Sequence, residues 1–165
     1  MKHSLGKMGL EMKGVSVHGF FCDDVRQEVG GKTSLMGCYH GDILFKKFPA
    51  ALHQLCFLGR LVIPVDVNVE EDIFVTAFAG SSVLIKGVVS RTGVPGLTEE
   101  EKKSGSNASV VTVELLIRPV KIEEPCQISV VINIGGHEMR ALPLRAAIGD
   151  PEKYSMPIIE STSIP

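Results

Sequence analysis

The sequence predicts an all-β domain, an antiparallel β-sandwich of about eight strands. Three observations predict it: apolar residues that alternate with polar ones in short segments, turn residues between these segments, and no long segment of helical periodicity. Short strands with regularly spaced turns are typical of immunoglobulin-like sandwiches. Because the chain contains no Trp, the Cys, Trp, Cys signature of antibody domains is missing, and a small barrel is the alternative.

The first strands are predicted on either side of a charged turn. Val15 and Val17 alternate with polar residues and lead into an apolar run that ends at Cys22. A turn follows over 26–32, and the next strand or strand pair covers 33–39 and 43–45, broken by a bulge or turn at Gly41 and Asp42. Gly31, Lys32 and Thr33 match the end of a phosphate-binding loop, but Arg26 occupies the position of its first glycine. The stretch therefore predicts a hairpin and no nucleotide site.

The middle of the chain predicts an apolar strand and a second hairpin. Apolar side chains over 61–69 fall on one face, and Pro64 on the opposite face indicates an edge strand. Strand candidates 73–79 and 82–90 are separated by a two-residue turn. In the polar stretch that follows, Thr98 and Glu101 have the spacing of a capping box, which predicts one short helix ending near Gly105.

Alternation is clearest in the last third of the chain. Residues 109–118 and 127–134 are predicted strands, and 138–146 is the closing strand of a hairpin turned at Gly135 and Gly136. The side chains expected to be buried are Val111, Val113, Leu115, Ile128, Val130, Ile132 and Ile134.

The expected domain organisation is simple. Residues 1–12 are predicted to be a disordered extension, with Met1, Met8 or Met12 as the start, 13–150 the sandwich domain and 151–165 a C-terminal tail.

Composition excludes several classes of function. The chain has 17 Lys and Arg against 19 Asp and Glu, a net charge of −2, which argues against sequence-independent nucleic-acid binding. No apolar stretch is long enough to predict a membrane span. The four cysteines are isolated in sequence, so we expect free thiols and a cytoplasmic protein. No cofactor is expected.

One segment carries a resemblance. Phe21 to Arg26, followed by Glu28, Gly31-Lys32, Ser34-Leu35, Gly37 and Tyr39, resembles the opening of a family of small, uncharacterised bacterial all-β proteins. The residues from Cys126 to Ala147 are similar to the last hairpin of many immunoglobulin-like sandwiches. The resemblance implies a free-standing, cytoplasmic bacterial domain, and it carries no catalytic residue onto this sequence.

Carboxylates near the first turn are the candidate metal ligands. Hard cations such as Ca²⁺ prefer oxygen ligands, and the candidates are Asp23, Asp24, Glu28, His40 and Asp42. The favoured interpretation is structural, with the aspartates capping a turn while Arg26 and Lys32 neutralise them. Zinc binding by Cys22, Cys38, His18 and His40 is disfavoured in the same way, because cysteine is most often a buried apolar residue.

No motif predicts an enzyme, since the chain lacks a nucleophile elbow and a cysteine that opens a helix. The leading hypothesis is a non-enzymatic module that binds a protein partner or itself through a sheet face or an edge strand, with 61–69 as the candidate edge. The alternative is a small metal-binding protein or metal-dependent hydrolase that uses the carboxylates named above.

Overall fold

The structure is a computed structural model that describes residues 14–153. Thirteen strands lie in this range: Ser16–Cys22 (β1), Asp24–Glu28 (β2), Lys32–Met36 (β3), Asp42–Phe45 (β4), Ala50–Leu52 (β5), Leu55–Pro64 (β6), Ile73–Ala79 (β7), Ser82–Val89 (β8), Ala108–Ile117 (β9), Val120–Ile122 (β10), Cys126–Ile134 (β11), His137–Arg140 (β12) and Leu144–Ile148 (β13). One short helix, α1, covers Glu99–Lys103, and turns of 3₁₀ helix cover Arg91–Gly93 and Pro151–Lys153.

Two main sheets contribute to one apolar core. The first has the strand order β1-β6-β9, and the second has the order β4-β13-β11-β7-β8, with β12 also paired to β11. Phe57 and Leu61 of the first sheet belong to the same buried cluster as Val75 and Ile132 of the second. The all-β sandwich prediction is therefore confirmed, while the immunoglobulin-like topology stays a prediction.

The strands are more numerous and less uniform than predicted. The closing strand expected over 138–146 is divided into β12 and β13, which both pair with β11. Pro143 lies between them, and it has no N–H to give to a ladder. One pair, β4 with β13, is parallel, so the second sheet is mixed.

The prediction of an edge strand over 61–69 is wrong. β6 is the central strand of the first sheet, paired with β1 on one side and β9 on the other. Pro64 is tolerated because it is the last residue of the strand. The apolar alternation that suggested a coverable edge comes from burial, since Leu61 and Ile63 belong to the core.

A hairpin forms around the predicted first turn, but the first strand does not pair with the strand that the sequence suggested. β2 and β3 form a hairpin in which Glu28 lies opposite Lys32, and Gly30 and Gly31 in the loop have φ of 82° and 72°. β1 does not join this hairpin and pairs with β6 instead, so Cys22 lies opposite Cys56.

Other elements agree with the sequence. The hairpin β7–β8, the capping box of α1 and the burial of all seven predicted side chains of β9 and β11 are confirmed. Across residues 14–153 no helix has the length and apolarity needed to cross a membrane. Residues 1–12, predicted to be disordered, and most of the predicted tail over 151–165 lie outside the described residues.

Replacing Ile132 by Asp should unfold the domain, because Ile132 is fully buried in β11 and an unpaired charge there costs more than about 4 kcal/mol of a total near 5–15 kcal/mol. Thr112→Asp is the control, because Thr112 is exposed on β9 and should change stability by about 0.5 kcal/mol or less. Urea titration followed by circular dichroism measures both. Equal costs would contradict the assignment of faces.

Replacing Asp42 by Asn should destabilise the protein in a pH-dependent way. Nε and Nη2 of Arg145 donate to the two carboxylate oxygens of Asp42, each over 2.7 Å, and this guanidinium holds the pKa of Asp42 below its usual value. A carboxyl group whose pKa is lower in the folded than in the unfolded protein contributes stability above its unfolded pKa of about 3.9. This stability is lost as the pH falls through the folded pKa.

We therefore expect the urea midpoint of Asp42→Asn to lie below that of the unsubstituted protein at about pH 7 and to approach it near about pH 2.5. Asp66→Asn is the control, because Asp66 is exposed and makes no ion pair within residues 14–153. A difference that does not change with pH would show that the ion pair is not the cause.

Candidate functional site

Two cavities meet at β1. The first, about 510 Å³, lies between the β2–β3 hairpin and the outer face of the first sheet. The second, about 290 Å³, lies between β1, the 39–41 loop and the link between β12 and β13. Gly19 and Phe20 line both cavities. We call the combined surface the β1 groove.

The alternation of β1 determines which side chains face the groove. Phe21 points into the core, so Phe20 and Cys22 point to the opposite face of the sheet. Phe20 is 57% exposed, although aromatic side chains gain most from burial. Leu142, at the far wall of the second cavity, is 83% exposed. The groove therefore presents two apolar contacts to solvent.

The backbone edge of β1 that faces away from β6 runs along the groove. The carbonyl of Phe21 accepts a hydrogen bond from the N–H of Tyr39, on the side away from β6. In an antiparallel strand, alternate residues direct both backbone groups to the same side. Val17 and Gly19 therefore also direct their N–H and C=O groups away from β6, and no described strand other than β6 pairs with them. This edge offers hydrogen bonds to an added strand.

Two cationic side chains, Arg60 and Lys32, line the first cavity. Arg60 on β6 lies between His18 on β1 and Thr112 on β9 in one row across the sheet, and Lys32 belongs to the hairpin above it. Neither Arg60 nor Lys32 makes an ion pair with a described residue. No Asp or Glu lines either cavity in the described part of the chain.

A hydrogen-bonded corner holds one end of the groove. The hydroxyl of Tyr39 donates to a carboxylate oxygen of Asp23 over 2.6 Å, and burial of the ring together with that carboxylate raises the pKa of Tyr39. The side-chain amide of Gln54 donates to the carbonyl of Asp23, also over 2.6 Å, and its oxygen accepts from Arg118. The corner thereby joins the β1–β2 turn to the start of β6 and the end of β9.

Two cysteines lie under this corner. Cys22 and Cys56 are buried and directly opposite each other in the β1–β6 ladder, on the face away from the core phenylalanines. Burial raises the pKa of Cys22 to about 12 and also raises that of Cys56. The thiol form dominates, so neither cysteine is activated as a nucleophile.

The candidate metal ligands do not come together. Asp24 accepts a hydrogen bond from Arg26, and this bond lowers the pKa of Asp24. Asp23 accepts a hydrogen bond from the hydroxyl of Tyr39. Asp42 pairs with Arg145, at the edge where β4 meets β13. Glu28 is at the tip of the hairpin, and His40 lines the second cavity.

Within residues 14–153 no three His, Cys, Asp or Glu side chains form a group that could hold a metal. The expected neutralisation by Arg26 is confirmed, with the carboxylate of Asp24 as its partner.

Sequence reasoning missed the residues that build the groove. Gln54, Arg60, Arg118 and Leu142 belong to no motif, and the tertiary fold alone brings them together. A signal was available only for Phe20, because three consecutive apolar residues, Phe20 to Cys22, cannot all face the core of a two-layer fold.

The chain belongs to a family of unknown function, DUF6941, whose family model matches residues 18–147. That range contains β1 from His18 onward and every residue that lines the β1 groove. No curated protein matches the chain.

Proposed function

We propose that this member of the DUF6941 family is a non-enzymatic binding module that takes an extended segment of a partner protein along β1. The observation that carries the proposal is the free edge of β1 between two cavities, with exposed Phe20 on one side and exposed Leu142 on the other. An added strand gains main-chain hydrogen bonds from such an edge, and alternate side chains fill the flanking pockets.

The rest of the surface supports binding over catalysis. The buried thiols have raised pKa values, and Asp23, Asp24 and Asp42 are engaged with tyrosine or arginine partners. The cytoplasmic location expected from the isolated cysteines is part of the same proposal, as is a partner that is a protein and not a nucleic acid.

Selection from a random 12-residue peptide library displayed on phage tests the proposal. We expect enriched peptides with alternating apolar residues, which bind about tenfold or more weakly to the double variant Phe20→Ser, Leu142→Ser because both apolar contacts are removed. Binding should also slow hydrogen exchange at the amides of Val17 and Gly19, since the added strand would accept hydrogen bonds from them.

The matched control is Val88→Ser, which removes a 57% exposed apolar side chain from the second sheet, away from the groove. It should leave peptide affinity unchanged. The proposal fails if no peptide is enriched, or if the selected peptides bind the double variant as tightly as the unsubstituted protein.

Self-association through β8 is a second candidate. β8 is an eight-residue strand that pairs only with β7 among the described strands. Phe74 and Val88, which lie opposite each other on the outer face of this hairpin, are 53% and 57% exposed. An edge with few charges and an apolar face beside it is suited to pairing with a second copy.

Light scattering after size-exclusion chromatography measures the oligomeric state of the protein. We expect a dimer at high protein concentration and a monomer for Val88→Lys, because a lysine beside an apolar edge disfavours pairing of that edge with another strand. A strict monomer at every concentration removes the candidate, as does a dimer that Val88→Lys leaves intact.

A further inference from the structure

We propose that the segment bound along β1 is acidic, and that its carboxylates pair with Arg60 and Lys32 in the first cavity. The inference rests on the proposed function, because it specifies the chemistry of the occupant of the same groove. The proposed occupant is an extended protein segment that carries acidic and apolar residues on the same face.

Arg60 is exceptional among the arginines of residues 14–153. Arg26, Arg140 and Arg145 each bind a carboxylate, Arg91 donates to the carbonyl of Glu70, and Arg118 donates to Gln54. The side chain of Arg60 makes no hydrogen bond with any described residue. A guanidinium with five donors in a fixed fork is the residue best suited to bind a planar carboxylate.

The side chains directly beside Arg60 in the sheet are not acidic. The positions directly across the sheet, where an acidic side chain would pair with it, hold His18 and Thr112. Glu114 is the nearest acidic residue along β9, and it accepts a hydrogen bond from Gln27 of the hairpin. An incoming carboxylate would therefore meet Arg60 without competition from a lining carboxylate.

Lys32 extends the positive charge above Arg60. It lies opposite Glu28 in the β2–β3 register, but the two side chains form no ion pair. The chain as a whole has a net charge of −2, so this cavity has the opposite sign to the rest of the protein. Charge complementarity then favours an acidic segment and disfavours a basic one.

The apolar contacts set the form of the segment. Phe20 adjoins the charged cavity on β1, two residues from His18 and diagonal to Arg60 in the β1–β6 register. Successive side chains of a strand alternate between its two faces. Because Phe20, His18 and Arg60 lie on the same outer face, side chains two residues apart on a strand lying along β1 would reach Phe20 and Arg60 in turn.

Two defined peptide mixtures test the inference by nuclear magnetic resonance of the labelled full chain. Both are ten-residue peptides in which two apolar residues (Val, Ile, Leu or Phe) alternate with two charged residues, so that each face of the strand carries both kinds, and the charged residues are Asp and Glu in one mixture and Lys and Arg in the other. We expect the acidic mixture to shift the amide signals of β1 and to bind about tenfold or more tightly than the basic one.

A variant with the charges of the groove reversed tests whether Arg60 and Lys32 cause the preference for acidic peptides. The double variant Arg60→Glu, Lys32→Glu should reverse the preference, and its amide spectrum checks that the fold is retained. Lys86→Glu is the control, because Lys86 is an exposed lysine on β8 in the other sheet. It should leave the preference for the acidic mixture unchanged.

The outcomes separate this inference from the proposed function. Equal binding of both mixtures with shifts at β1 overturns the acidic preference and keeps the groove as a peptide site. Tighter binding of the basic mixture, or a preference that the double variant does not change, also overturns the acidic preference. No shift at β1 with either mixture overturns both.

Discussion

The ring of Phe57 lies across two glycines, and the position of β1 depends on this contact. Gly19 and Gly59 face each other in the β1–β6 ladder. A Cβ on Gly59 would lie 2.6 Å from Cε1 of Phe57, and a Cβ on Gly19 would overlap the ring itself. Phe57 is fully buried and its ring centre is 5.1 Å from that of Phe21. Any side chain at either glycine would displace this fully buried ring from the core.

This packing determines what β1 presents to solvent. Because Gly19 and Phe21 face the core, His18 and Phe20 must face the outer side, where the β2–β3 hairpin lies above them. The hairpin is held by the corner in which the carboxylate of Asp23 accepts a hydrogen bond from Tyr39, and a Cβ at Gly37 would overlap this carboxylate. Gly37 has a φ of 64°, which suits a glycine at this close approach. The walls of the groove are thus fixed by contacts within the protein itself, which would lower the entropic cost of binding the proposed segment.

Period-two alternation revealed which residues are buried, but not which strands are neighbours. The inward faces of β9 and β11 were predictable because a shift of one residue would expose every apolar side chain. The strand that pairs with β1 was not predictable, because β2, β3 and β6 all contain apolar residues and alternation does not indicate which strands are neighbours. Asp42 shows the same limit. It looked like a metal ligand near the first turn, yet its partner Arg145 is 103 residues further along the chain.

Two features of the β1 groove contrast with the rest of the protein. In the described residues every buried side-chain nitrogen and oxygen has a hydrogen-bond partner, and every arginine other than Arg60 makes a side-chain hydrogen bond. Burial of apolar surface stabilises by about 25 cal/mol per Å², so covering the exposed ring of Phe20 would be favourable. Water hydrates Arg60 well, so its lack of a partner costs the fold little. An occupant that covered Phe20 and brought a carboxylate to Arg60 would gain from both features, which is why they support binding more than either does alone.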